Sequence, residues 1–308
     1  AEFGSFTPSV NLFPRLESIM QKTEISTILD TFMEESIKLS PIGATLLGVP
    51  GLDDQIDDFS MVGHKKREDL TRSNLESLKG ASPANDLDRI ARDVATERLS
   101  SELRLSETQE ARVLFNLISS PVTSIRQVFE MMNKAEENRG NVTKRMAAIG
   151  AALDGWRSTL EHVAGLGKTN STRQVLATAK QLETFSQGAF SAVAKKFDPS
   201  GSDSALVDAA KSAEKACGAF ASWLRDSYAP LSTPNDGVGE ERYKMWARHF
   251  TGADLDLRDT YQWGIGELDR INERMWKAAA KLYPEAKTLR EVADRLEKDP
   301  RYIVEGEE

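Results

Sequence analysis

Apolar positions recur along most of this chain at intervals of three and four residues, the spacing of one helical face. From Ile25 they fall at Ile28, Leu29, Phe32, Met33 and Ile37, a helix that Ser40-Pro41 ends. Ile42 to Val49 follows, then an acidic turn whose Ser60 is placed to cap a helix from Met61 through Arg67, Leu70, Asn74 and Leu78. Asp86 opens a long helix through Leu99 and Leu103, and an apolar run to Ile118 is ended by Pro121. Ser124 to Glu137 sets Ile125, Val128, Phe129 and Met132 on one stripe. Asn141 to Ala164 turns Met146, Ile149, Leu153 and Trp156 inward, and Gly165 and Gly167 stop it. Thr172 to Lys196 reads as one helix through Val175, Ala179, Leu182, Phe185 and Phe190. After a polar loop, Ser204 to Tyr228 is Ala-rich and packs Leu206, Ala210, Ala213, Cys217, Phe220 and Leu224 before Pro230. Glu240 to Phe250, Asp256 to Leu282 and Thr288 to Lys298 complete the helices. Strand patterns are nearly absent. The prediction is an all-α, multi-helix array with no repeat at a solenoid period.

The opening Ala1-Glu2-Phe3-Gly4-Ser5 reads as a cloning scar and is set aside. Residues 6–230 are predicted as an N-terminal helical domain. The longest polar, Gly- and Pro-containing break, Leu231 to Gly239, separates it from residues 231–308. With 308 residues, 40% of them hydrophobic and 29% charged, a packed core is possible. A net charge of -8 disfavours nucleic acid as a partner, because phosphate binding draws on clustered Lys and Arg. Lys195-Lys196 beside Asp198 reads as a solvated face.

The single cysteine, Cys217, excludes an internal disulfide and a Cys-rich zinc site, and its apolar neighbours make it a small buried hydrophobe. No run of 18 apolar residues spans a membrane. No signal peptide is visible, so the cytoplasm is the default location, unless an original leader has been removed. Asn141-Val142-Thr143 and Asn170-Ser171-Thr172 match the glycosylation pattern as short chance matches.

The three histidines, His64, His162 and His249, stand far apart, and none opens a His-Glu-x-x-His pair that could share a tetrahedral metal on one helical face. The residues three before them are Met61, Thr159 and Trp246, so the Glu-x-x-His of di-iron bundles is missing too. No Gly-x-Ser-x-Gly elbow occurs. Asp53, Asp54, Asp57 and Asp58 lack EF-hand spacing and read as a solvated turn with helix-capping acids. Gly167-Lys168-Thr169 lacks the first glycine of a phosphate loop and follows a helix. The best remaining surface runs from Gly237 to Phe250. Gly237 and Gly239 permit close backbone approach or positive φ. Arg242, Tyr243 and Arg248 have the chemistry to hold a carboxylate or a peptide carbonyl. Trp246 and Phe250, at helical spacing from Tyr243, are expected on the core face. Arg242 and Tyr243 are the candidate substrate-binding residues.

Several stretches are similar to a known family. Pro41-Ile42-Gly43-Ala44-Thr45-Leu46-Leu47-Gly48, then Asp53-Asp54 and Asp57-Asp58-Phe59-Ser60, resembles the opening of the bacterial family called domain of unknown function 885. Gly239-Glu240-Glu241-Arg242-Tyr243 resembles its Gly-Glu-x-x-Tyr element, and Gly264 to Ile271 its Gly-x-x-Glu-hydrophobic-x-Arg-Ile helix. The similarity runs from about Ile28 to Tyr302, while Leu103 to Leu231 contributes helical pattern only. The resemblance implies a helical, metallocarboxypeptidase-like architecture with a deep cleft, and a zinc-dependent peptidase whose His-Glu-x-x-His helix lies in the second half. That helix is not in this sequence, so no zinc ligand or general base carries over.

Glu305-Gly306-Glu307-Glu308 has the acids of a helix's first turn with no helix after them, and the chain is expected to be an N-terminal fragment. Residues 231–308 then begin the cleft or catalytic region. The leading expectation is a wall and lid of a peptidase cleft, with a peptide as substrate and the missing C-terminal half as partner. No cofactor is expected in this chain, with zinc in the missing half, and the chain alone is expected to be inactive. The rival is a self-sufficient helical interaction module whose apolar faces are covered; a third reading is a split enzyme with the zinc helix on another polypeptide.

Overall fold

The computed structural model describes residues 22–304 and Gly306. Residues 1–5, read above as a scar, and the start of the expected N-terminal domain lie outside the described residues. The described chain is all-helical. Fourteen α-helices follow one another: α1 (Glu24–Lys38), α2 (Pro41–Leu46), α3 (Met61–Gly80), α4 (Asp86–Glu107), α5 (Glu110–Val113), α6 (Pro121–Met131), α7 (Arg139–Ala147), α8 (Ile149–Gly165), α9 (Thr172–Ser186), α10 (Ala189–Phe197), α11 (Ser204–Trp223), α12 (Glu240–Thr251), α13 (Leu257–Leu282) and α14 (Leu289–Leu296). Their starts follow the local chemistry. Thr23, Ser60, Asn85, Ser120, Ser171 and Asp203 each accept a first-turn N–H in the side chain. Such caps satisfy donors that a helix start otherwise leaves unpaired.

The chain divides into two compact units, the first ending at Gly252 and the second starting at Ala253. The Leu231–Gly239 break therefore lies inside the first unit, because α12 returns to α4 and α5 through ion pairs described below.

In the first unit, α1, α3 and α4 enclose a small core of Ile25, Leu75, Leu78, Ala81 and Leu99. A larger core surrounds α11, whose Ala209, Ala210, Ala213 and Ala221 let neighbouring helices come close. There Trp156 stacks on Phe220 with centroids 5.2 Å apart, and Phe115 meets Trp156 edge-on at 5.1 Å. Cys217 is fully buried in this core, as expected. Burial pushes its thiol up to about 12, so it stays protonated and inert.

Several predicted helices are shorter than their patterns. Pro121 starts α6 where an end was predicted, since a proline fits the first turn behind the Ser120 cap. Asn141 to Ala164 is interrupted at Ala148, between α7 and α8, with Met146, Ile149, Leu153 and Trp156 all buried as predicted. Thr172 to Lys196 breaks at Gly188, whose φ of 111° no helix accommodates. The Ser204 helix ends in a π-turn, Leu224–Tyr228, ahead of Pro230.

The acidic turn is not the solvated feature that its composition suggested. It wraps the fully buried side chain of Arg145 from α7. The guanidinium donates to the carbonyls of Gln55 (2.6 Å), Leu52 (2.8 Å) and Pro41 (3.4 Å), and to Thr45 Oγ1 (3.0 Å). Thr45 in turn donates to Asp53 at 2.8 Å, and Asp57 caps α2 by accepting from Ile42 N–H at 2.8 Å and from Ser40 at 2.9 Å. Burial raises the Asp57 pKa against these hydrogen bonds and the charges of Arg67 and Arg145. The Pro41–Gly48 stretch and the acids after it thus form one structural unit around an arginine. Asn170 is likewise a structural residue and no glycan acceptor: it is buried and donates to Phe115 O at 2.6 Å.

Candidate functional site

The first turn of α3 and the sharp corner between α4 and α5 border the candidate site of the first unit. Ser60 caps α3, and Gly63 lies so close to Asp58 O that an added Cβ would sit 2.1 Å from it, which makes glycine necessary there. This fixes the first turn of α3. Opposite it, the chain leaves α4 and reverses at Gln109, the single non-glycine residue with positive φ (68°) among the described residues. Such a conformation costs about 1 kcal/mol or more and persists where surrounding contacts demand it. Here the Gln109 amide is held at both ends. Its Oε1 accepts from Arg112 at 2.6 Å, and its Nε2 donates to Glu107 O at 3.4 Å.

Between these elements lies an open groove of about 620 Å³, bordered by Met61, Val62, Lys65, Lys66, Gln109 and Arg112. Arg112 is buried beneath it and donates to Ser106 O (2.7 Å), Ser106 Oγ (3.0 Å) and Glu68 (2.9 Å). Burial alone would raise Glu68, but hydrogen bonds from Arg112, Ser106 and Arg72 outweigh it and hold its carboxyl below the usual range. His64, on the first turn of α3, is pushed down to about 4 by burial and by the charges of Arg67 and Arg112, so it is neutral at pH 7.

The other side of the Gln109 corner carries α12. Glu110 is 2% exposed; its Oε1 accepts from Arg242 Nε at 2.8 Å and its Oε2 from Trp246 Nε1 at 3.2 Å. Arg248 makes a bidentate pair with Glu97 of α4, at 3.1 and 2.8 Å. His249 Nδ1 faces Ser101 Oγ at 3.2 Å and Arg98 Nη2 at 3.4 Å. A guanidinium only donates, so Nδ1 is the acceptor; burial and then Arg98 lower the His249 pKa.

The structure brings Arg242 and Tyr243 onto one helix beside the Gln109 corner. Arg242 is anchored and Tyr243 is 57% exposed. Trp246 is half-buried against Glu110, whereas Phe250 is 77% exposed and stacks on Trp246 at 5.8 Å. The core-face expectation is therefore wrong for Phe250. α12 is latched to its neighbours by ion pairs and a half-buried stripe, and no residue of it is buried. Gly239 has φ 79°, while Gly237 does not use the positive region. Glu110, Glu97 and the Arg112–Glu68 pair were not found from sequence: Glu110 and Arg242 are 132 residues apart, and no local spacing announces such a pair.

Among the described residues no three His, Cys, Asp or Glu side chains come together to hold a metal. The described residues do not fit a zinc ion.

An all-helical scaffold with an open groove and an ion-paired helix beside it is the class of protein that these features define. The chain belongs to the family described as "Bacterial protein of unknown function (DUF885)", which matches residues 41–308. No curated protein matches it. Among solved structures it is similar to one described as "the putative lipoprotein from Colwellia psychrerythraea", with a TM-score of 0.71 at 14% identity, covering 91% of this chain and 55% of that one. A second, "a putative lipoprotein of unknown function from Shewanella oneidensis", has a TM-score of 0.64 at 20% identity, covering 90% of this chain and 53% of that one. At these identities the likeness concerns the fold. The chain spans about half the length of the structures it matches.

Proposed function

We propose that this chain is the N-terminal helical part of a zinc-dependent, peptidase-like protein, in which it forms one wall of a peptide cleft and is inactive without the metal-binding half. The observation that carries the reading is the family match over 41–308 in a chain about half as long as its fold neighbours. The metal chemistry belongs to the other half, since the described residues offer no ligand set. This chain contributes binding. Glu110 takes only Nε of Arg242, which leaves the two Nη groups without a hydrogen bond among the described residues and able to meet a carboxylate or peptide carbonyl. Tyr243, one residue on, presents its phenol to solvent. The neighbours' description as putative lipoproteins favours the cell envelope over the cytoplasmic default; no helix among the described residues is long and apolar enough to cross a membrane.

The test is peptide hydrolysis by the polypeptide of the full reading frame, with and without a chelator. Arg242→Ala and Tyr243→Phe are expected to raise KM about tenfold each with kcat nearly unchanged, the signature of lost uniform binding. Unchanged KM in both variants would remove them from the site.

A further inference from the structure

Helix α13 has a face that nothing in its own unit covers. Tyr261, Ile265, Leu268, Asn272, Met275, Ala279 and Leu282 follow one another at alternating steps of four and three residues. Only Ala279 is buried, in the unit where α14 packs beside α13 through Val292. Leu268 is 53% exposed, Tyr261 66% and Met275 49%. Ile271 and Trp276 widen the stripe on either side, to an arc of about 140° at roughly 100° per residue. Beyond Arg258 in the first turn, which is in line with Trp276, the charged residues lie off it: Arg270 pairs with Glu267 and Lys277 with Glu273 along the helix.

The width decides what fits. A two-stranded coiled coil, including one formed with a second copy of this chain, buries a narrow seam and flanks it with charges. Here both flanks of the seam are large and apolar. An arc this broad is what a helix presents to the core of a multi-helix layer. We propose that α13 is a core helix whose exposed arc is covered by helices from the remaining half of the parent polypeptide. The proposal rests on the reading under Proposed function, and the neighbours' roughly twofold greater length is what supplies the occupant.

The experiment compares Leu268→Glu and Tyr261→Glu in this chain and in the polypeptide of the full reading frame, with Trp263→Ala, on the opposite side of α13, as control. Thermal unfolding is followed by circular dichroism, and mass by light scattering. In the short chain the Glu variants are expected to leave Tm within about 2 °C, since a substitution on an open surface costs little. In the full polypeptide each is expected to lower Tm by about 5 °C or more, because the carboxylate is then buried without a partner. The control is expected to be silent in both. Glu variants silent in the full polypeptide overturn this inference and leave the peptidase reading standing. So do a short-chain dimer that either Glu variant dissociates and an equal loss of Tm in both lengths, which would make the occupant a second copy or the first unit. A reading frame that stops at Glu308 overturns both.

Discussion

Replacing Arg145 by methionine probes the most buried ionic group of the fold. The side chain has 0% exposure and holds three elements together: α7 carries it, and its acceptors lie in α2 and in the acidic turn. Methionine fills much of the volume but donates nothing. Three well-formed hydrogen bonds disappear, at 2.6, 2.8 and 3.0 Å, each from a charged donor. Bonds of that kind contribute about 1.5–3 kcal/mol apiece. Relaxation and water entry recover part of the sum, so a net loss of about 4 kcal/mol is expected, in the range for breaking a buried pair. For a protein of this size that is a fall in Tm of roughly 10 °C. Arg145→Lys keeps the charge without the planar fork and should lose about half as much. Urea unfolding followed by circular dichroism at several pH values is the assay. An Arg145→Met midpoint within about 1 kcal/mol of the parent would refute the view that the Pro41–Gly48 stretch and the acidic turn are built around this residue.

Glu110→Gln should cost about 2 kcal/mol, less than a fully buried pair because Arg242 can turn to solvent, and should speed proteolysis within 231–239 as α12 loosens; unchanged proteolysis would mean that α12 is held by other contacts. His64 titrates near 6.5 unfolded and about 4 folded, so the unfolded chain takes up its proton first as pH falls. Its contribution to stability is complete above pH 6.5 and is lost towards pH 4, by roughly 3 kcal/mol at 1.36 kcal/mol per unit. His64→Gln should flatten that slope in urea midpoints measured from pH 4 to 7. Cys217, with its thiol pushed up to about 12, should stay unreactive towards a thiol reagent at pH 8 until urea unfolds the protein.

The helices were legible because their signals are local. Ser60 before Met61 and the Trp156 stripe of α8 each lie within one or two turns of the residues that they organise. The break at Gly188 was missed because a glycine inside an apolar pattern is tolerated in many helices, and only its φ shows otherwise. The acidic turn was misread for a different reason. Its partner, Arg145, is about 90 residues away, and composition alone describes acids as solvated. Phe250 shows the limit of periodicity. Spacing gives the face of a helix on which a residue sits, but not whether anything covers that face. For the site, the sequence singled out Arg242 and Tyr243 by residue type, while the buried Glu110 that anchors Arg242 emerged only from the fold.

Peptide hydrolysis, measured side by side on this chain and on the polypeptide of the full reading frame, separates a cleft wall from a complete peptidase. No turnover and no tightly bound zinc are expected in this chain, and chelator-sensitive hydrolysis in the longer one. Zinc-dependent turnover by the 308-residue chain alone would contradict this expectation.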